Sequence, residues 1–307
     1  VAKHYLSRYK ININVDQIAI TSGASASILL SLMSSFKQGD TIAVISPGYP
    51  CYVNILKALN LNIHNIQTNI EDNYNINLSD IENIPKFVKG IILASPSNPT
   101  GAMIELSHLK EISRICMSKK ILIISDEIYQ GISYQNNLKE VSLLSINHKG
   151  VVINSFSKYF LMTGWRLGWV ISNKEHIKEI SKLAMNLYLS PSSISQFTAL
   201  EVFKYYEYFD NVVNEYKRKR NLLKTELVKI GLKDFFFPEG AFYFYIDVSK
   251  YTGNSYSFCK DMVNDINVTT APGIDFDTLR GSSFIRISFA GSKKDLMIAI
   301  KKMGRWL

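Results

Sequence analysis

The sequence predicts an α/β protein in which helices cover both faces of a mostly parallel sheet and a smaller α+β domain follows. Short apolar runs alternate with helical patterns from Ile18 to about Val170, as in βαβ units. After about Tyr206 the pattern changes to one long amphipathic helix and shorter strands. We therefore predict a large domain at 1–206, and an interdomain helix with a small C-terminal domain at 207–307.

Each predicted strand of the first half ends in turn residues. In chain order the strands are IAIT (18–21), TIAVIS (41–46), NIHNIQ (62–67), GIILAS (90–95), ILIISD (121–126), VVINS (151–155) and GWVIS (168–172). Their Ile, Leu and Val content predicts burial on both faces, as in parallel strands between helix layers. Ligands of such sheets bind at the carboxyl ends of the strands, so we expect the functional residues there.

The second half begins with a helix predicted at 210–230, followed by the strands FYFYIDV (242–248) and SFIRISF (283–289). No Pro-, Gly- or Ser-rich linker separates the halves, so we expect this helix to bridge the two domains. The densest basic run, 217–220, lies within it and is interpreted as a solvated helix face.

Composition excludes several classes of protein. Of 307 residues, 47% are hydrophobic and 20% charged, with 16 glycines and 8 prolines, which excludes disordered and collagen-like chains. The formal net charge of +9 is compatible with a polyanionic partner, but the basic residues are spread along the chain. We therefore expect no nucleic-acid partner.

The cysteines and the N-terminal residues bear on the compartment. Cys51, Cys116 and Cys259 are widely separated, which predicts no disulfide framework and no metal site. No apolar stretch approaches 18 residues and no secretory signal opens the chain, so we predict a cytoplasmic protein without a membrane partner. Val1 begins in a helical pattern without a cap, and we expect a further segment upstream.

Polar residues follow four of the predicted strands. The segments are TSGASAS (21–27), ASPSNPTG (94–101), SDEIYQG (125–131) and NSFSKYFLMTGWRLG (154–168). Taken singly, each has an ordinary structural interpretation. The first can be a helix N-cap and the second a turn, while Asp126 can cap a helix and Tyr129 can lie in the core.

Other features of the same segments favour a phosphate and an amine chemistry. Free backbone N–H groups at 23–25, where a helix starts, favour an anion. Lys158 follows a buried strand, and a partly desolvated amine in a cationic pocket has the lowered pKa that a Schiff-base lysine needs. Arg166 supplies a planar fork suited to phosphate. Arg286 lies on one face of a strand with Phe284 and would ordinarily have a carboxylate partner.

In order and spacing, these segments resemble those of one enzyme family. The shared motifs are SGA, P-G-Y-P, N-P-T-G, D-x-x-Y, S-x-S-K and M-T-G-W-R-x-G. The chain is similar over essentially its whole length to fold-type I pyridoxal-phosphate enzymes of the class I/II aminotransferase family. In the segment APGIDFD, Asp277 stands where many members of that family have glycine.

The resemblance implies a role for each matching residue. Lys158 would hold pyridoxal 5'-phosphate as a Schiff base and move the substrate Cα proton. Asp126 would pair with the pyridine nitrogen, so that the ring accepts electrons. Asn98 and Tyr129 would bind the phenolic oxygen, and Tyr49 would stack on the ring. The catalytic residues would thus be Lys158, Asp126 and Tyr129.

The resemblance also implies two binding sites for charged groups. Donors for the cofactor phosphate would be the turn at Gly23, the backbone N–H groups of Ala24 and Ser25, the hydroxyls of Ser155 and Ser157, and Arg166. Arg286 would bind the substrate α-carboxylate, with Asn98 and Tyr49 also contacting the substrate.

Transamination between an L-amino acid and a 2-oxo acid through a pyridoxamine form is therefore the leading hypothesis, in a homodimer with shared active sites. Elimination or C–S cleavage on the same fold is an alternative. A ligand sensor fused to a DNA-binding module and an inactive remnant are two others, because the family has several tens more residues at its N-terminus.

Overall fold

The structure is a computed structural model that describes residues 1–134 and 140–307. Its helices are α1 (Ala2–Tyr9), α2 (Ala24–Ser35), α3 (Pro50–Ala58), α4 (Leu78–Glu82), α5 (Leu106–Ser118), α6 (Lys174–Tyr188), α7 (Ser193–Val202), α8 (Tyr206–Lys229), α9 (Ser255–Ile266) and α10 (Lys293–Trp306). Its strands are β1 (Ile18–Thr21), β2 (Thr41–Ser46), β3 (Asn62–Gln67), β4 (Val88–Ala94), β5 (Leu122–Asp126), β6 (Val151–Ser155), β7 (Gly168–Ile171), β8 (Tyr243–Asp247), β9 (Ala271–Pro272) and β10 (Phe284–Ser288). The predicted fold class is confirmed.

The larger sheet has the strand order β1-β7-β6-β5-β4-β2-β3 within the described residues. All neighbours from β6 to β3 are parallel, whereas β7 runs antiparallel to both β6 and β1. The connection 156–167 between β6 and β7 contains no α-helix, so the chain returns along the same edge instead of crossing over. The parallel strands thereby bring their carboxyl ends to one edge of the sheet.

The prediction that all seven strands are buried on both faces is wrong for β3. This strand is the edge of the sheet, and Asn62 and Asn65 are exposed on it. Its sequence, NIHNIQ, has polar residues at four of six positions, as suits a strand with one side open to water. The central strand β6 is buried throughout.

The second sheet has the antiparallel order β8-β10-β9, and both predicted C-terminal strands are present, each one residue shorter at either end. The bridging helix α8 starts at Tyr206, four residues before the predicted start, and ends one residue early. The predicted boundary between 206 and 207 therefore falls in its first turn, and the division into two domains stays a prediction.

The basic run in α8 is only partly a solvated face, because Arg220 is buried. Its Nη1 donates to the carbonyl of Pro238 at 2.7 Å, and its guanidinium lies 4.1 Å from the Phe237 ring centroid and 4.6 Å from that of Tyr134. Through these contacts, Arg220 links α8 to the segment that leads into β8.

Glu127 is a buried carboxyl group directly after β5, with a side chain 1% exposed. Its Oε1 accepts from the Leu143 N–H at 2.8 Å and from Ser125 Oγ at 3.1 Å, while Oε2 has no hydrogen-bond partner within the described residues. Burial raises the pKa of Glu127 from 4.5 to about 7, against the lowering effect of these hydrogen bonds. The folded chain therefore holds this proton more tightly than the unfolded chain does.

We expect the Glu127→Gln variant to lose a pH dependence that the wild type has. Because the pKa is higher in the folded state, wild-type stability should fall by up to about 3 kcal/mol as pH rises from about 4.5 to about 7. Urea unfolding of both proteins at several pH values measures this slope. The exposed Glu82→Gln is the control, and equal slopes for wild type and Glu127→Gln would contradict the expectation.

Candidate active site

A cavity of about 310 Å³ lies where the carboxyl ends of β4 and β5 and the turn after β6 meet the N-terminus of α2 and one face of the smaller sheet. Ten predicted site residues line it: Ala24, Ser25, Tyr49, Asn98, Asp126, Tyr129, Ser157, Lys158, Arg166 and Arg286. The predicted site residues Gly23 and Ser155 are not among the residues that line this cavity. The sheet topology therefore gathers residues that are up to 262 positions apart in the chain.

Asp126 ends β5 with its side chain 3% exposed. Its Oδ2 accepts from Tyr52 Oη at 2.6 Å and its Oδ1 from the Ile128 N–H at 3.1 Å. Burial raises the pKa of Asp126, and these two hydrogen bonds and the nearby Lys158 oppose that rise. A carboxylate has about four lone-pair sites, so Asp126 can accept a further hydrogen bond from a ligand.

Lys158 follows β6 and is half-buried. Its Nζ lies 5.7 Å from the Tyr129 ring centroid and 5.9 Å from that of Phe242. Burial lowers the pKa of Lys158, and the positive charges of Arg286 and Arg166 lower it further, against the carboxylate of Asp126. A larger fraction of this amine is therefore neutral at a given pH than of an exposed lysine, as a nucleophilic amine requires.

Two glycines let Arg166 and β7 approach the N-terminus of α2. Gly23 has φ +86°, and a Cβ built there would lie 2.6 Å from Arg166 Nη2. A Cβ on Gly168 would lie 2.9 Å from the backbone N of Ala24 and 2.9 Å from the carbonyl O of Asn154. No side chain caps α2, so its first N–H groups and the Arg166 guanidinium together form an anion cradle.

The two serines near Lys158 differ in position. Both are buried, but only Ser157 is among the lining residues of the cavity, and Ser155 Oγ accepts from the Ser157 N–H at 3.1 Å. Ser155 therefore shapes the turn that carries Lys158.

Arg286 reaches the cavity from β10 of the smaller sheet. Its Nη1 donates to Asn98 Oδ1 at 2.8 Å, and its Cζ lies 4.2 Å from the Tyr243 ring centroid and 4.6 Å from that of Phe276. Within the described residues its Nε is buried without a hydrogen-bond partner, and no ion pair involves this arginine. No protein carboxylate pairs with this arginine there, and donor capacity remains for the carboxylate of a ligand.

Sequence reasoning missed two tyrosines of the site. Tyr52 donates to Asp126, and Tyr243 shares a hydrogen bond of 2.7 Å between hydroxyls with Tyr129. Tyr52 lies one helical turn after Tyr49, and Tyr243 belongs to PEGAFYFY, in which the smaller sheet turns toward the cavity. Helical spacing and strand alternation are the signals that could have identified them.

Comparison with known proteins identifies the class. The family model described as aminotransferase class I and II matches residues 1–303. A valine–pyruvate aminotransferase of Mycobacterium tuberculosis is 38% identical, over 100% of this chain and 80% of that protein. An aspartate aminotransferase of Sulfurisphaera tokodaii is 30% identical, over 100% of this chain and 79% of that protein.

Solved structures agree with these sequence comparisons. An aminotransferase from Mycobacterium tuberculosis superposes with a TM-score of 0.96 at 38% identity, over 100% of this chain and 80% of that one. An aspartate aminotransferase from Thermotoga maritima superposes with a TM-score of 0.91 at 29% identity, over 99% of this chain and 80% of that one. The chain therefore belongs to the class I and II aminotransferases, which are pyridoxal-phosphate-dependent transferases that act on amino acids and 2-oxo acids.

Two further observations concern the described residues alone. No helix among them combines the length and the apolar character needed to cross a membrane. They also contain no group of three or more His, Cys, Asp or Glu side chains arranged to hold a metal ion.

We expect Gly168→Ala to weaken cofactor binding, because the added methyl group would meet backbone atoms at 2.9 Å and displace the N-terminus of α2. The affinity for pyridoxal phosphate should fall roughly tenfold, with about 1–3 kcal/mol of destabilisation. Absorbance titration and thermal melting measure the two effects. Gly291→Ala is the matched control, since nothing lies within 4 Å of its Cβ position, and equal affinities for both variants would contradict the expectation.

Proposed function

We propose that Lys158 carries pyridoxal phosphate in this cavity and that the site transaminates an L-amino acid with an uncharged side chain. The observation that carries this proposal is the convergence of a half-buried amine, a buried carboxylate and an anion cradle on one cavity. These are the groups that the aldehyde, the pyridine nitrogen and the phosphate of the cofactor require.

The donor set supports the assignment of the phosphate end. Ala24, Ser25, Ser157 and Arg166 all line the same cavity, and within the described residues no side chain caps the N-terminus of α2. Arg166 Nη1 donates to the Thr163 carbonyl at 2.9 Å, which fixes the plane of the guanidinium and leaves its other N–H groups for an anion. Gly23 would contribute to this site because it has no Cβ, which leaves room for Arg166 Nη2.

The opposite end of the cavity would hold the pyridine ring. Tyr49 would stack on the ring, and Asp126 would hold a proton on the ring nitrogen. The hydrogen bonds from Tyr52 and Ile128 orient the Asp126 carboxylate. When bound, pyridoxal phosphate supplies an electron sink for the pair left behind by the substrate Cα–H bond.

Lys158 would take the Cα proton and return it, because its lowered pKa favours the neutral amine. The side-chain Oδ1 of Asn98 accepts a hydrogen bond from Arg286. The side-chain nitrogen of Asn98, which is a donor, therefore points away from Arg286. Asn98 and Tyr129 would donate to the phenolic oxygen, with Tyr243 fixing the Tyr129 hydroxyl.

Arg286 would bind the substrate α-carboxylate. Its Nε has no hydrogen-bond partner among residues 1–134 and 140–307, and its guanidinium contacts two aromatic rings, which supports a group held ready for a planar anion. Asn98 and Tyr49 would lie beside the same substrate. Fixing the carboxylate would set the Cα–H bond perpendicular to the ring.

An uncharged substrate side chain is supported by the charges of the cavity. Among its described lining residues the cations are Lys158, Arg166 and Arg286, and each has a role in the proposal. A second substrate carboxylate would have no further cation among them. The relative that is 38% identical is a valine–pyruvate aminotransferase, so we propose pyruvate as the acceptor.

We further infer a homodimer in the cytoplasm. The helix α7 exposes Ile194, Phe197 and Leu200, with 72%, 73% and 63% of their surfaces accessible. Phe197 and Leu200 line an apolar groove of about 370 Å³ whose lining also includes Phe156, two residues before Lys158. An apolar surface of this kind is typical of an interface. The three free cysteines fit a reducing compartment.

For the reaction, we expect the cofactor-loaded protein to lose its visible absorbance on addition of L-valine or L-alanine and to regain it with pyruvate. Lys158→Ala should retain the fold but lose turnover roughly a thousandfold or more. Spectra recorded with single amino acids measure both. Release of pyruvate and ammonia without an acceptor would instead establish elimination, and L-aspartate as the preferred donor would overturn the uncharged-substrate proposal.

For the assembly, we expect Phe197→Asp to raise the dimer dissociation constant roughly thirtyfold or more, as loss of a central apolar contact does. Sedimentation velocity over a range of concentrations measures this constant. Tyr256→Asp, at an exposed aromatic position on α9, is the control and should behave as the wild type does. A wild-type chain that stays monomeric at high concentration would contradict the proposal.

A further inference from the structure

Asp277 and Arg280 form an ion pair outside the cavity lining. Arg280 donates from Nε to Asp277 Oδ2 at 2.9 Å, and its Nη2 lies 2.9 Å from the same oxygen. The Asp277 side chain is 3% exposed, so its charge is compensated almost entirely by this arginine and by the neighbouring backbone. Its Oδ1 accepts from the N–H groups of Leu279 and Arg280 at 3.0 and 3.1 Å.

The same arginine crosses from the C-terminal part of the chain to the larger sheet. Its Nη2 donates to the carbonyl of Thr68 at 3.0 Å and to that of Ser46 at 3.4 Å, and its Nη1 donates to Asn69 Oδ1. Ser46 ends β2, and Thr68 directly follows β3. Arg280 therefore ties the segment 273–280 to the carboxyl ends of two strands.

The residue beside Asp277 contacts the site from two directions. The Phe276 carbonyl accepts from the Gly48 N–H at 2.9 Å, and the Phe276 ring lies 4.6 Å from Arg286 Cζ. The loop 46–49, which carries Tyr49 into the cavity, is thus held at Ser46 by Arg280 and at Gly48 by Phe276.

We propose that Asp277 and Arg280 are positioning residues for substrate binding. Their ion pair holds Phe276 against Arg286 and holds the loop that carries Tyr49, so that the substrate carboxylate meets a guanidinium already fixed in place. This inference rests on the proposed role of Arg286 as the carboxylate-binding residue. It adds a determinant of substrate affinity that touches neither substrate nor cofactor.

The physical reason for this positioning role is the number of rotamers open to the Arg286 side chain. The guanidinium of Arg286 is confined by its contacts with the rings of Phe276 and Tyr243 and by its hydrogen bond to Asn98. If Phe276 moves, the guanidinium gains rotamers, and binding a carboxylate must then order it again. A displacement of about 1 Å at such a clamp is costly for the reaction.

The experiment measures KM and kcat for the amino donor in the cofactor-loaded Asp277→Asn variant. Asparagine keeps the oxygen that accepts from Leu279 and Arg280 but removes the charge that holds Arg280. We expect KM to rise roughly tenfold, with kcat changed less than threefold and cofactor affinity unchanged. Arg280→Lys, which keeps the charge but loses the fork, should raise KM by a similar factor.

A double variant tests whether the two residues act as one device. Asp277→Asn/Arg280→Lys should raise KM about as much as either change alone, because each single change already breaks the link. The matched control is Asp234→Asn, which removes the exposed Lys250 ion pair in the same part of the chain and should leave KM unchanged. Thermal melting of all variants records any loss of folded protein.

Comparison with Arg286→Lys separates the two levels of the proposal. If Arg286→Lys leaves KM unchanged, the proposed role of Arg286 fails and this inference fails with it. If Arg286→Lys raises KM while the Asp277 and Arg280 variants do not, the inference alone is overturned. It is also overturned if these variants lower the melting temperature and the active fraction while the KM of the remaining enzyme stays at the wild-type value.

Discussion

The buried carboxylate of Asp126 is the constraint on which the site depends. A charge at the end of a buried strand must be compensated, and here a tyrosine hydroxyl, a backbone N–H and a nearby amine compensate it. The two hydrogen-bond donors come from α3 and from the turn after β5, and the amine comes from the turn after β6. The groups that stabilise this carboxylate in the folded chain are therefore the groups that would bind and work beside a cofactor.

Close approach of backbone to backbone is the second requirement. The cradle at the start of α2 exists because Gly23 and Gly168 leave room where a methyl group would collide with Arg166 or with the helix. Glycine has this effect at two positions 145 residues apart, and β7 brings them together by pairing with β1. The proposed binding of an anion at this end of the cavity would thus depend on the antiparallel strand that breaks the parallel pattern.

Local sequence was sufficient for much of the fold. Apolar runs predicted the ends of all seven strands of the larger sheet to within two residues of the observed ends, because buried strands need continuous apolar content. The same reasoning failed at β3, whose position at the edge depends on strand order, and at Arg220, whose burial depends on Phe237 and Tyr134. The start of α8 was also misplaced, since Tyr205 at its N-cap makes no side-chain capping bond that a sequence pattern would reveal.

The sequence by itself determined the fold class and, through its motifs, the family, and it predicted an amine, a carboxylate and proposed phosphate-binding residues, because these depend on local patterns near strand ends. Only the tertiary structure decided how those residues are supported. The hydrogen bonds between Tyr52 and Asp126 and between Tyr129 and Tyr243 join positions 74 and 114 residues apart in the chain. Such contacts depend on how sheets and helices pack, and no local period encodes them.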